Sequence, residues 1–299
     1  MPLDLVSLPL ASACWTIAII AAAAGLIAWV ASTISHDYSW IDRWWSIGPV
    51  VYSWVLLGFF PNNHQLLLAA LLVTIWGARL TINFARKGGY RPGHQDYRWV
   101  VLRSQMGAAA WQGFNIGFIV IFQSLLLVAL VAPLAALAGN QPSTAQPTPV
   151  SWGDWLIAAV FLAVLAMETI ADQQMWRFQQ GKQAMRAAGQ TPSVNFIQTG
   201  LFSHSRHPNY CAELALWWLI FIFGVSSIGA AALWAIIGAI LLTAVFTGST
   251  IMTERISRQR YPEYALYQAS VWPIIPWPRK RTALPLPIKA ATTIGDLSD

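Results

Sequence analysis

Seven apolar stretches dominate the chain, near 10–34, 44–60, 64–84, 111–137, 152–175, 210–226 and 229–250. A helix needs about 20 apolar residues to cross the hydrocarbon core of a bilayer. Such a segment must also satisfy its backbone hydrogen bonds internally, so it is helical. Composition agrees. Of the 299 residues 56% are apolar and only 10% charged, against roughly 25% charged in ordinary soluble domains. Seventeen tryptophans suit a molecule with two lipid–water boundaries. The expected fold is an all-α integral membrane protein of seven transmembrane helices. It forms a single domain over 1–278, then a tail at 279–299 that is basic, then Pro-rich and loose.

The loops orient these helices. Lys and Arg gather at 43, at 86–103, at 177–206 and from 255 onward, whereas 61–63, 138–151 and 226–229 carry none. Alternation of this kind follows the positive-inside rule. It puts the N-terminus outside and the C-terminus in the cytoplasm, in a bacterial inner membrane or, in a eukaryote, the endoplasmic reticulum membrane. The first apolar stretch has no small-residue cleavage site behind it and is expected to be retained. The loop 138–151, rich in Pro, Gln, Thr and Ser, reads as a flexible external linker. Topology accounts for the net charge of +6 before nucleic acid does. Cys14 and Cys211 make no CxxC and no Cys/His ligand spacing, so neither a disulfide framework nor a metal site is expected.

The polar residues collect at the cytoplasmic ends of the spans. The most concentrated stretch is TGLFSHSRHPNYCAE, 199–213. Pro208 fits the first turn of a helix, which would then carry Asn209, Tyr210 and Glu213 at the lip of the apolar run 214–225. Arg206 and His207 precede it. Arg and Tyr alone would suit an interfacial anchor, but Asn and Glu point instead to a polar ligand site. Glu168 and Asp172 lie one turn apart in METIADQQ, where two poorly solvated carboxylates need a cation, a proton or a ligand hydroxyl. Glu254 and Arg258 are spaced for an i,i+4 ion pair or for ligand contacts. Asp96, Arg98 and Trp99 fall in GHQDYRW, and Arg79 is alone among the basic residues in lying inside a span.

Neither GxGxxG nor GxxxxGK[ST] occurs, and RKGGYRPG at 86–93 has no strand before it. A phosphate-bearing ligand would therefore be held by side chains. Arg98, Arg206 and Arg258 offer the planar fork that matches two phosphate oxygens. Neighbouring acids could take ribose hydroxyls, and Asn209 could meet a carboxamide or an adenine edge. Together these suit a dinucleotide.

GLFSHSRHPNYCAE, DRWW, DYRW, ADQQ and the closing YPEYALYQASVWPIIP together resemble the steroid 5-alpha-reductase-like membrane family, especially its bacterial multi-span branch. The similarity runs from about Ile41 to Pro276. It implies a seven-helix reductase that binds NADPH from the cytoplasm. Hydride then passes to the C=C bond of an enone in a steroid-like or isoprenoid lipid. Asn209 and Glu213 match the family's NYxxE, Asp172 its fifth-helix Asp and Arg98 its loop Arg. The family's substrate-polarising Glu and Tyr are not matched: Asp42 is the nearest acid, and the third helix offers Trp76 and Arg79 with no tyrosine before Tyr90. Asp42, Arg79 and Tyr52 are the candidates to stabilise the carbonyl oxygen as charge develops.

Two other readings stand beside this one. Isoprenylcysteine and phospholipid methyltransferases share RHPxY and a Glu–Arg helix end, with S-adenosylmethionine as ligand. A transporter or lipid-binding scaffold would instead show mid-membrane polar residues and internal repeats.

Overall fold

The computed structural model describes residues 4–91, 93–140, 147 and 149–278. The tail expected at 279–299, and 141–146 and 148 of the expected linker, lie outside them. Among the described residues there is no strand, only helices and one isolated bridge between Ser205 and Trp272. Five stretches of the described residues are long and apolar enough to cross a membrane, as in a multi-pass membrane protein: Leu8–Ser35, His64–Arg86, Ala108–Leu130, Trp152–Ala187 and Pro208–Arg260. The last is two helices, Pro208–Ile228 and Ile236–Arg260, joined by a 3₁₀ segment. Trp218 Nε1 donates to Thr243 Oγ1 at 3.2 Å, so the pair folds back as a hairpin. The stretch expected at 44–60 is a helix of only 12 residues, Gly48–Phe59. At 1.5 Å per residue it is about 18 Å long, short of a bilayer's ~30 Å core.

The chain divides into two compact units. The first comprises Met1–Leu165 and Leu214–Val245, the second Ala166–Glu213 and Phe246–Asp299.

In the first unit, α1 (Asp4–Ser35) packs against α3 (Gly48–Phe59) and α6 (Ala108–Leu130). Its buried face carries Ala13, Ile17, Ala21 and Ala28, while Trp15, Ile19, Leu26 and Ile27 are exposed. Small residues inside and large apolar ones outside invert the soluble pattern, because lipid solvates the large ones and close packing holds the small ones. His36, with φ 56°, ends α1 in the left-handed region where glycine is usual. The short α2 (Trp40–Trp44) follows. On α4 (His64–Arg86), a Cβ at Gly77 would lie 2.6 Å from Ser46 O, so glycine permits the close approach there. The unit also contains α5 (Tyr97–Ser104) and α7 (Ala132–Gly139).

One buried polar node ties three chain segments of this unit together. Asp154, in the first turn of α8 (Trp152–Ala187), accepts from Gln65 Nε2 at 2.9 Å, Ser151 N at 2.8 Å and Ser227 Oγ at 3.2 Å. Neutral donors and the helix N-terminus hold this carboxylate without a cation.

In the second unit the helix expected at Pro208 begins there, as α9 (Pro208–Ile228). The loop before it turns at Gly200, φ 61°. A Cβ there would come 2.5 Å from the Gln174 amide, whose Oε1 accepts from Leu201 N at 2.9 Å. Glycine is needed on both counts. Ala171, Ile197 and Phe202 form one small core and Tyr264, Tyr267 and Val271 another. The unit closes with the end of α10 (Ile236–Arg260) and α11 (Tyr264–Ser270).

Candidate functional site

The second unit gathers Arg206, His207 and Glu254 into one network. Arg206 donates through Nε to Glu254 Oε1 at 2.6 Å and through Nη2 to Oε2 at 2.8 Å, a bidentate pair. Its Nη1 donates to the backbone oxygens of Gln268, at 3.0 Å, and Val271. Gln268 Nε2 donates to Glu254 Oε2 at 2.8 Å, and His207 Nε2 lies 3.1 Å from Oε1. The backbone of 204–207 holds the closing strap: Arg206 N donates to Trp272 O and His207 N to Pro273 O. This differs from two expectations. Glu254 turns to Arg206 and not to Arg258, which is exposed and has no side-chain partner among the described residues. Arg206 directs its guanidinium at protein acceptors, where a phosphate ligand would need it open.

Other expected residues of this unit have distinct settings. Glu168, Asp172 and Glu213 are all buried, and each has an interaction partner. Tyr210 stacks on His207 with ring centroids 5.2 Å apart and meets Phe246 edge-on at 4.8 Å. Asn209 is half-buried, and its amide bonds to nothing among the described residues.

The first unit places Asp42, Asp96, Arg98 and Trp99 together. Asp96 caps α5, accepting from Arg98 N at 2.8 Å, and its carboxylate also takes Arg98 Nη2 at 2.6 Å. Arg43, beside Asp42 in sequence, pairs instead with Asp37 at 2.6 Å. For Asp42 the nearby cation is Arg98, which is already paired with Asp96. Its Oδ2 accepts from Trp99 Nε1 at 3.1 Å. Burial, then the neighbouring Asp96 charge, pushes its carboxyl above the usual carboxylate range. Trp99 itself belongs to a buried cluster with Tyr38, Ile41 and Trp111, against which Trp40, Trp44, Phe114 and Phe118 pack.

Tyr52 is fully buried on α3. Its hydroxyl accepts from Trp44 Nε1 at 3.2 Å, and its own proton meets no acceptor among the described residues. Gly48 makes this possible, since a Cβ there would lie 2.7 Å from Trp44 Nε1. Arg79 is half-buried on α4 and has a partner. Sequence reasoning missed Gln268, the Asp154 node, and Asn115 and Gln123. The last two were detectable as polar residues inside an apolar span.

Fold and site define a class: an all-helical protein with long apolar helices and buried charged networks at helix ends. The chain belongs to the family described as "Protein of unknown function (DUF1295)", whose family model matches residues 28–271. It is also 35% identical over 268 residues to an uncharacterized protein of Schizosaccharomyces pombe, covering 84% of this chain and 76% of that one. No solved structure matches it.

Proposed function

We propose that this protein is an NADPH-dependent membrane reductase, related to the steroid 5-alpha-reductases, that saturates the C=C bond of an enone in a lipid. In this reading the chain crosses the membrane seven times, with α3 and the two arms of the α9–α10 hairpin counted separately. The N-terminus lies outside and the C-terminus in the cytoplasm, where the alternation of basic loops puts them.

The observation that carries the reading is Asp42. A carboxyl raised first by burial and then by the Asp96 charge, and bonded to the Trp99 indole of an aromatic cluster, takes up a proton more readily than an ordinary carboxylate and can donate it to a carbonyl oxygen. Tyr52 holds a second proton that no described protein group accepts. A donor aimed at that oxygen stabilises the charge that grows there. NADPH, when bound, supplies the hydride. The residues fit it in part. Asn209 has an amide with no described partner, suited to a carboxamide, and Arg258 an open guanidinium, suited to phosphate. Asp96, Arg98, Trp99, Glu168, Asp172, Tyr210 and Glu213 remain proposed cofactor contacts; Arg206, His207 and Glu254 would act by holding the 204–207 segment.

One observation favours the methyltransferase alternative: the bidentate pair that closes Arg206 to phosphate is no obstacle to S-adenosylmethionine. Titration of the detergent-solubilised protein with each ligand separates the two. Saturable NADPH binding, weakened by Asn209→Ala and by Arg258→Ala, supports the reductase. Binding of S-adenosylmethionine alone would replace it.

A further inference from the structure

A second polar line in the first unit lies inside a span, on the helix whose Trp111, Phe114 and Phe118 pack in the cluster that holds Trp99. On α6, Trp111 is 2% exposed, Asn115 0% and Gln123 4%. Four of the atoms on this helix are buried and meet no hydrogen-bonding partner among the described residues: Trp111 Nε1, Asn115 Oδ1, Gln123 Oε1 and Ser124 Oγ. In a hydrocarbon slab there is no bulk water to pair them, so such groups are costly unless a ligand does.

The backbone is wound to present them. Asn115–Phe122 forms π-helical turns, with i→i+5 bonds. Residues four apart on an ordinary α-helix drift by about 40° per step. The wider turns offset that drift, so Trp111, Asn115, Ile119 and Gln123 are all buried. The same spacing stacks a strip of half-buried rings: Phe114 on Phe118 at 5.0 Å and Phe118 on Phe122 at 5.2 Å, tilted by 20° and 9°. Insertions of π-helix occur often at functional sites.

The orientation of the Asn115 amide is settled by its neighbour. Ser32 Oγ already donates to Trp29 O, so it must accept from Asn115 Nδ2, 3.2 Å away. Oδ1 is therefore the open atom, an acceptor, and Trp111 Nε1 one turn earlier is an open donor. A hydroxyl both donates and accepts; a carbonyl or an ether cannot serve the Asn115 oxygen. The flat strip of rings beside them suits an unsaturated or fused-ring skeleton.

We propose that this face of α6 binds a lipid alcohol, its hydroxyl held by Asn115 and Trp111 and its skeleton laid along Phe114, Phe118 and Phe122. The proposal goes beyond the reductase reading and does not need it, because an alcohol without an enone should bind.

The full chain, reconstituted in phosphatidylcholine vesicles, is tested with tritiated cholesterol and tritiated geranylgeraniol, each competed by its own unlabelled alcohol and methyl ether. Saturable binding is expected for at least one skeleton, and the better-bound one identifies the lipid class. Its methyl ether should compete about tenfold less well, since it has no proton for Asn115. Asn115→Leu should weaken the alcohol by a similar factor, and Phe118→Ala should weaken alcohol and ether alike. The wild-type comparison stands even if Asn115→Leu does not fold. Equal competition by alcohol and ether, or no saturable binding of either alcohol, overturns the proposal and leaves the polar line to buried water.

Discussion

Asp42 and Glu254 are both acids withdrawn from water, yet they are furnished in opposite ways. Glu254 receives a bidentate arginine, a glutamine amide and an imidazole nitrogen at its two oxygens. Asp42 receives an indole N–H and a Ser39 hydrogen bond, while the adjacent Arg43 pairs with Asp37 and the nearby Arg98 with Asp96. The first arrangement holds a charge in place and uses it to pin the chain segment after α11. The second gives its acid fewer donors, so burial raises the carboxyl above its ordinary range. Burial alone therefore says little about an acid's role; the count of donors around it says more.

Removing Arg206 should break the comparison most visibly. Arg206→Ala leaves Glu254 buried without its cation, at about 3–5 kcal/mol. The paired change Arg206→Met with Glu254→Leu should recover most of that loss. Thermal unfolding in detergent reads both, and equal losses in the single and double variants would contradict a clamp. Asp42→Asn should leave folding intact and lower turnover of a lipid enone by about 10²–10⁴-fold, the usual contribution of a general acid. Normal turnover in that variant would take Asp42 out of the acid role.

The same aspartate sharpens the contrast through pH. Because its carboxyl is raised in the folded protein, the folded state holds a proton that the unfolded chain releases near the ordinary aspartate value of about 4. Stability contributed by that proton is present below the ordinary value. It declines as pH rises toward the raised one. Unfolding curves of Asp42→Asn against the parent across this window should differ in slope, with the variant flatter. A parallel pair of curves would mean that Asp42 is ordinary.

Smaller effects follow from the loop that sets Arg206 in place. Gly200→Ala should cost about 1–2 kcal/mol from its left-handed backbone, with a further displacement of Gln174; a neutral result would show that the turn can relax. Asn209→Ala and Arg258→Ala should change stability by less than about 0.5 kcal/mol, as for side chains that the described structure leaves without bonds.

What the sequence determined by itself was local or periodic. Apolar length marks the helices, Pro208 begins α9, and Asp96 caps α5, because each depends on neighbours within a turn or on the solvent around a segment. Polar residue types in TGLFSHSRHPNYCAE marked a network without revealing its pairing. Glu254 could have chosen Arg258 four residues on, and took Arg206 instead, 48 positions away. Gln65 and Asp154 meet across 89 positions, and Asn115 reaches Ser32 across 83. Only the tertiary structure decides such choices. An acid accepts whichever donors the packed helices bring within reach, and packing is a property of the whole set of helices rather than of any one segment.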